Sequence, residues 1–250
     1  MAAKTRYHLL DELRGFAVLC MVVFHGIFLY NLLFGDPVSA WLYRFFLPAE
    51  PFFAAFFIFL SGLCCVLSHA NVQRGLKLAA VAVLITAVTL AAGEFGLDVA
   101  IYFGVIHLLA FSILFCGLLY KPLSKIPALL GLLLFLALFF ITYPIEQGAL
   151  WLFVGHYALP QPFYSTSFLF WLGFPNGSFA SADYFPVLPW LFMFLAGFYA
   201  GQFFKKHGFP GFFKAHPVPF FGLVGRNALL IYILHQPVLY SVFMLISKLL

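Results

Sequence analysis

Seven stretches of this chain, each at least 18 residues long, run almost without a charge: roughly 13–34, 50–68, 76–93, 99–119, 126–143, 184–204 and 223–247. About 20 apolar residues in helical conformation cross the hydrocarbon core of a bilayer, and in lipid only a helix or a closed barrel satisfies its own backbone. Runs of this length exclude a soluble globular fold. Composition agrees, since only 8% of the residues are charged against the roughly 25% that a water-facing surface carries. Mean hydropathy is +1.05. Phenylalanine, 36 of 250 residues, reads as packing against lipid and between helices. Cys20, Cys64, Cys65 and Cys116 all lie inside apolar runs, so they read as small packing residues and outline neither a disulfide framework nor a metal clasp.

Between the fifth and sixth runs lies a segment of about forty residues, 144–183, with two apolar stretches near 148–158 and 163–174 that are too short to span. They read as re-entrant or interfacial pieces, with nine helices as the alternative count. Lysine and arginine set the orientation. Lys4, Arg6, Arg14, Arg74, Lys77, Lys121, Lys125, Lys205, Lys206, Lys214 and Arg226 fall on one side of this scheme, and only Arg44 and Lys248 on the other. The positive-inside rule then places the N-terminus in the cytoplasm and the C-terminus outside. Asp36, Glu94, Asp98, Glu146 and Asp183 fall outside. The excess of positive charge is accounted for by topology and gives no indication of nucleic-acid binding. The first run exceeds the 7–15 residues of a signal-peptide core, so Val38-Ser39-Ala40 is not read as a cleavage site. The expected fold is an all-α integral membrane protein of about seven transmembrane helices, one domain over 1–250, with a long external loop between helices five and six.

Ionisable groups inside such runs cost about 2.5–3.5 kcal/mol each on insertion scales and mark function by default. Asp11 and Arg14, at i and i+3, share a helical face. His25 stands eleven residues after Arg14, three turns and about 16 Å further along the same stripe, near the bilayer midplane. Gly15 and Gly26 adjoin the polar residues and admit a close neighbour. His107 in the fourth helix, eight residues from its outer end, and His235 in the seventh reach comparable depth. Pro237 leaves the Ile233 carbonyl without its helical donor. Each histidine alone is as well explained by a neutral ring tying helices together. Three at one depth, with an arginine on the stripe of one, point to a polar cavity open to water, to which Glu50 and Asn227 are candidate contributors. Ser61-Gly62 reads as a small-residue helix contact. In the sixth helix Asp183 is the expected N-cap, Pro186 fits the first turn, and Tyr184 and Trp190 belong to an interfacial belt. His8, His69, His156, His207 and His216 fall in loops or termini and read as solvated.

Acyl transfer from a thioester needs a base for the nucleophile's proton and donors for the developing oxyanion. A buried neutral imidazole can be that base; Arg14, always protonated, cannot, and suits a phosphate, a pantetheine carbonyl or an ion pair with Asp11. Lys121, Lys125, Lys205 and Lys206 face the cytoplasmic side of the scheme, where they either attract the phosphates of a coenzyme or merely set topology.

The segments DELRGFAVLCMVVFH, FFIFLSG, GVIHLLA, DYFPVLPWLFMFLAG and GRNALLIYILHQP, in that order, resemble the bacterial family related to the catalytic domain of heparan-alpha-glucosaminide N-acetyltransferase, within the transmembrane acyltransferase superfamily that includes membrane-bound acyltransferase family 3. The resemblance covers nearly the whole chain. It implies a membrane-bound enzyme of the bacterial inner membrane that moves an acyl group, usually acetyl, from cytosolic acyl-CoA to an acceptor on the far side. That acceptor would be an amino sugar or another envelope glycan. Arg14 and His25 match the arginine, ten residues, histidine pattern of family 3. The lysosomal enzyme carries its catalytic histidine further along, toward the loop after the equivalent helix, where residues 35–48 here contain none, and it has several more spans. The resemblance for Arg14 and His25, and the reading of the buried polar residues for the others, give His25, Arg14, Asp11, His107 and His235 as the expected catalytic residues. The expected acetyl-CoA contacts are Arg14, Lys121, Lys125, Lys205, Lys206, Arg226 and Asn227, with no metal. Trp151, Tyr157 and Tyr164 are candidates to stack on sugar rings. The alternatives are a secondary transporter of a small polar solute and an intramembrane metal or haem protein using the three histidines. Plentiful helical glycine and alanine permit packing within one chain or in a homodimer.

Overall fold

The computed structural model describes residues 6–96, 99–152 and 154–248. The protein is an all-α integral membrane protein, 74% helical. The helices are α1 (His8–Phe34), α2 (Pro37–Phe46), α3 (Glu50–Cys65), α4 (Asn71–Gly93), α5 (Val105–Leu118), α6 (Tyr120–Leu123), α7 (Ala128–Thr142), α8 (Val187–His207), α9 (Pro219–Arg226) and α10 (Ala228–Ser247). One antiparallel hairpin, β1 (Ala149–Leu152) with β2 (Gly155–Ala158), interrupts them. Among the described residues six helical stretches are long and apolar enough to cross a membrane: α1, α2 through α3, α4, α7 with its following turn, α8 and α10. The stretch expected at 99–119 is represented by the 14-residue α5, about 21 Å of helix, because residues 99–104 are not helical. The run expected at 223–247 is broken at Asn227, whose backbone leaves α-geometry (φ −103°, ψ 16°) and separates α9 from α10. Within the described part of 144–183 there are only the hairpin and short 3-10 turns, so neither apolar stretch there is a helix able to span. Lys4 and Asp98, counted for orientation, lie outside the described residues.

The chain divides into two compact units, Met1–Leu60 with Gly208–Leu250, and Ser61–His207. In the first, α1 is held by two partners. A Cβ on Gly15 would overlap the Phe221 carbonyl, and one on Gly225 would overlap the Asp11 carbonyl, so α1 and α9 meet backbone to backbone. Only glycine permits this approach. Further along, Leu239 lies 3.7 Å from where a Cβ on Gly26 would be, and Tyr30 meets Phe243 with ring centroids 5.5 Å apart. Partner numbers rise together, so α1 and α10 run parallel. Val18, Val224 and Ala228 form a buried cluster between these helices. Gly35, in the left-handed region at φ +62°, ends α1, and Asp36 starts α2 by accepting the N–H groups of Val38 (3.0 Å) and Ser39 (3.1 Å). The Ser39 side chain, and after it those backbone bonds, hold the Asp36 carboxyl below the usual carboxylate range. Arg6, Arg14, Lys214 and Arg226 gather where α1 begins, whereas Arg44 and Lys248 lie toward its other end.

In the second unit α8 is the central helix, with most of its apolar length buried, whereas little of α4 or α7 is. The other two present most of their surface outward, as lipid-facing helices do. Phe194, Phe198 and Tyr199 of α8 are fully buried, and the Tyr199 hydroxyl donates to the Leu123 carbonyl at 2.9 Å. Gly62 faces the Phe194 backbone as closely as Gly15 faces Phe221, so the expected small-residue contact is present. Trp190 is buried against Phe185 and Phe139, ring centroids 5.0 and 5.6 Å apart, and belongs to the core instead of an interfacial belt. Asp183 is also used differently from expectation. It accepts the N–H of Val105 at 3.0 Å and so caps α5, while α8 begins four residues later, beyond Pro186. The Gly117–Val72, Tyr199–Leu123 and Lys205–Tyr120 contacts bring the start of α4, the end of α5 and the end of α8 together. Arg74, Lys77, Lys121, Lys125, Lys205 and Lys206 therefore share one end of this unit, and Glu94, Glu146 and Asp183 the other.

Candidate functional site

His25 and His235 face each other in the first unit, with ring centroids 5.1 Å apart. The pairing follows from the parallel course of α1 and α10, since Gly26 lets α10 approach one residue beyond His25. His235 is buried and His25 half-buried. Nδ1 of His235 lies 2.6 Å from the Tyr232 carbonyl. A carbonyl only accepts, so this nitrogen carries the hydrogen and Nε2 carries the lone pair. Nε2 of His235 and Nδ1 of His25 are buried and have no hydrogen-bonding partner among the described residues. Two buried imidazole nitrogens on facing rings, both unsatisfied, are the strongest chemical signal in this unit.

Asp11 and Arg14 form an ion pair (Nη1–Oδ1 3.2 Å), and Arg6 completes it from the other side at 2.8 Å. Because α1 is one continuous helix, Arg14 does share a ridge with His25, about 16 Å away. The cavity against α1, about 230 Å³, lies elsewhere. It is lined by Phe16, Leu19, Cys20, Val23, Phe24 and Ile27 of α1 with Phe46, Phe53 and Phe221, all apolar or weakly polar. At 100° per residue those α1 positions centre roughly half a turn from the Asp11–Arg14–His25 ridge. The polar cavity expected on that ridge is therefore not this one; this face of α1 is oily.

His107 stands in the first turn of α5, not eight residues into a helix. Both its nitrogens are used. The Gly104 N–H points at Nδ1 (3.2 Å), which puts the ring hydrogen on Nε2, and Nε2 donates to the Thr86 hydroxyl at 3.0 Å. That hydroxyl in turn donates to the Ile101 carbonyl at 2.8 Å. The ring thus ties α5 and the preceding segment to α4. Lys205 lies over the Tyr120 ring, 5.9 Å from its centroid, beside Lys121. Arg226 is exposed, and Asn227 spends its amide on the Leu223 carbonyl (2.9 Å), capping α9. Among the described residues no three His, Cys, Asp or Glu side chains converge as metal ligands, and no disulfide joins any of the four cysteines.

Sequence reasoning missed a second polar cluster. Glu12, 3% exposed, accepts hydrogen bonds from His216 Nδ1 and from the Val218 N–H (3.0 Å), and the His8 ring lies 4.8 Å from that of His216. His8 and His216 are thus engaged with each other and, through His216, with a buried carboxylate. Glu12 follows Asp11 directly, so it turns about 100° from the polar ridge, and nothing in the 204-residue separation announces its partner. The aromatic candidates on the hairpin also divide. Trp151 pairs across the strands with His156, rings stacked at 6.5 Å, whereas Tyr157 pairs with Leu150 on the opposite face. Tyr164 donates its hydroxyl to the Ile145 carbonyl and packs on Phe174. The three rings do not form one platform.

A sequence model of the family described as heparan-alpha-glucosaminide N-acetyltransferase, catalytic, matches residues 6–237, and so spans both units. No curated protein and no solved structure matches the chain.

Proposed function

The chain belongs to the family of the heparan-alpha-glucosaminide N-acetyltransferase catalytic domain, a family of acetyltransferases, and on that premise we propose that it transfers acetyl from acetyl-CoA to an acceptor across a membrane, with His25 as general base. The observation carrying this reading is the buried His25–His235 pair with its unsatisfied nitrogens. Thioester transfer needs a neutral base in a site that excludes bulk water, and a half-buried imidazole facing another fits that need.

The donor is cytosolic acetyl-CoA. The same reading puts the beginning of α1, and the lysine end of the second unit, on the cytoplasmic side, in line with the positive-inside rule, with the C-terminus outside. Arg14, paired with Asp11, meets the donor where α1 begins, with Arg226 and Asn227 nearby, and Lys121, Lys125, Lys205 and Lys206 draw the coenzyme phosphates to that side of the membrane. The acceptor is an amino sugar or related envelope glycan that reaches His25 from outside. His107 serves by holding α5 to α4. Both units act as one catalytic domain, and the chain is a bacterial inner-membrane member of the wider transmembrane acyltransferase superfamily. The acyl group is attacked directly by the acceptor: the new C–N or C–O bond forms, the C–S bond breaks, and the proton taken by His25 leaves with the coenzyme sulfur.

Purified protein in nanodiscs, with isotope-labelled acetyl-CoA and glucosamine, tests this. Arg14→Ala is expected to weaken acetyl-CoA binding, and His25→Ala to bind normally while kcat falls ~10²–10⁴-fold, the usual share of a general base. A wild-type protein that binds no acyl-CoA would refute the enzyme reading. Full activity in His25→Ala would remove the base.

A further inference from the structure

In water a neutral imidazole can carry its hydrogen on either nitrogen, but in a protein the bond made by one nitrogen decides the state of the other. His235 is fixed in this way. Its Nδ1–H is spent on the Tyr232 carbonyl, so its Nε2 can only accept, and that atom is buried and unpartnered among the described residues. The neighbouring ring offers the complementary orphan, Nδ1 of His25, also buried and unpartnered. An unsatisfied buried polar atom forfeits its hydration without compensation, and one bond between these two would relieve both. A hydrogen on His25 Nδ1 would make it.

We propose that His235 is a positioning residue in a two-histidine relay, running from the Tyr232 carbonyl through His235 to His25, that keeps the hydrogen of His25 on Nδ1 and its lone pair on Nε2. This rests on the acetyl-transfer reading above and deepens it. With Nδ1–H aimed at His235, Nε2 of His25 is the atom that takes the proton from the acceptor's amine or hydroxyl. The acceptor heteroatom then bonds to the acetyl carbon, the thioester C–S bond breaks, and the proton passes from Nε2 to the departing sulfur. During the step His25 carries a positive charge, which the chain Nδ1–H to Nε2, backed by the carbonyl-bound His235, stabilises. Serine-hydrolase triads give this task to a carboxylate. Inside a bilayer an isolated carboxylate is costly, and a neutral imidazole supplies the lone pair without importing a charge. In the structure neither nitrogen has a hydrogen-bond partner among the described residues, although the ring centroids are only 5.1 Å apart. Catalytic hydrogen bonds commonly tighten when substrate binds, and the relay is expected to close at that point.

The test uses the full-length protein in nanodiscs with nitrogen-15-labelled histidine, the His25 signals being assigned by their loss in His25→Ala. Nuclear magnetic resonance is expected to show His25 as the Nδ1–H tautomer with acetyl-CoA bound, and as the Nε2–H tautomer in His235→Phe, which keeps a ring but no acceptor. His235→Phe should lower kcat at least about tenfold at unchanged KM for acetyl-CoA. His235→Gln, whose amide oxygen reaches the same place, should recover most of it; a merely space-filling role would favour Phe over Gln. An Nε2–H tautomer for His25 in the wild-type protein overturns the relay whether or not either variant folds. If the wild-type protein transfers no acetyl group, the acetyl-transfer reading fails, and the tautomer still judges the relay on its own.

Discussion

Two glycines on one helix should respond in opposite ways to the same added methyl group. Gly15 and Gly26 both lie within α1, and Ala for Gly at a helix interior gains about 1 kcal/mol of propensity at either site. At Gly26 the new Cβ would stand 3.7 Å from the Leu239 side chain, an ordinary contact that keeps the gain. At Gly15 it would stand 2.8 Å from the Phe221 carbonyl carbon and the Gly225 nitrogen, and nearer still to the carbonyl oxygen. Those are backbone atoms of a helix and cannot swing aside. To restore normal separation near 3.5–4 Å, α9 must retreat by about 1 Å. It would then loosen the Val18–Val224–Ala228 cluster and the Asp11–Gly225 crossing together. Overpacking of this kind costs about 1–3 kcal/mol, and more where backbone is displaced. Gly26→Ala is therefore expected about 1 kcal/mol more stable than the parent and Gly15→Ala, net of the same propensity gain, up to about 2 kcal/mol less. The propensity gains cancel between the two variants, so the overpacking cost of at least about 1 kcal/mol, at ~2–4 °C per kcal/mol, should separate them by at least about 2 °C in Tm. Thermal unfolding of the detergent-solubilised protein, followed by monodisperse fraction on size exclusion, measures this. Equal midpoints for the two variants would show that α1 and α9 do not touch backbone to backbone.

Glu12→Ala should cost about 1–3 kcal/mol, because it strands the Val218 N–H and the His216 ring, whereas Glu12→Gln keeps an acceptor and should lose less than half of that; chemical denaturation in mixed micelles separates them. His107→Phe, which removes the link between Gly104 and Thr86, should lower stability by about 1–2 kcal/mol yet leave kcat per folded molecule unchanged. A kcat loss at full stability would return His107 to the chemistry. The Tyr184 phenol is pushed above its ordinary value, first by burial and then by the Glu146 charge, and it donates to the Phe170 carbonyl at 2.6 Å. A raised value means the folded state holds this proton longer than the unfolded chain does. The contribution is whole below pH ~10 and is lost as alkalinity climbs past it, so any stability advantage of the parent over Tyr184→Phe in chemical denaturation should be constant up to pH ~10 and shrink above it; an advantage that does not shrink would refute the raised value.

The class of fold was legible in the sequence because lipid imposes a local rule: a span needs some twenty apolar residues wherever it occurs, and that can be counted without knowing any neighbour. The same locality made the α1 ridge readable, since Asp11, Arg14 and His25 lie on one helix with a fixed angle per residue. Gly15 and Gly62 could be read as points of close approach for the same reason, although not what approaches them. What tertiary structure decided are the partners. His235 meets His25 only because α10 runs parallel to α1, while His107, equally apolar in its surroundings by sequence, falls in a first turn and is consumed by Thr86 and Gly104. Asp183, sitting before α8 like a cap, turns to α5 because residues 182–185 pair with 100–103 and bring it there. Glu12 and His216 are the clearest case. A hydrogen bond joins atoms in space, and the backbone contact of α1 with α9 sets that distance through glycines hundreds of residues apart in the chain.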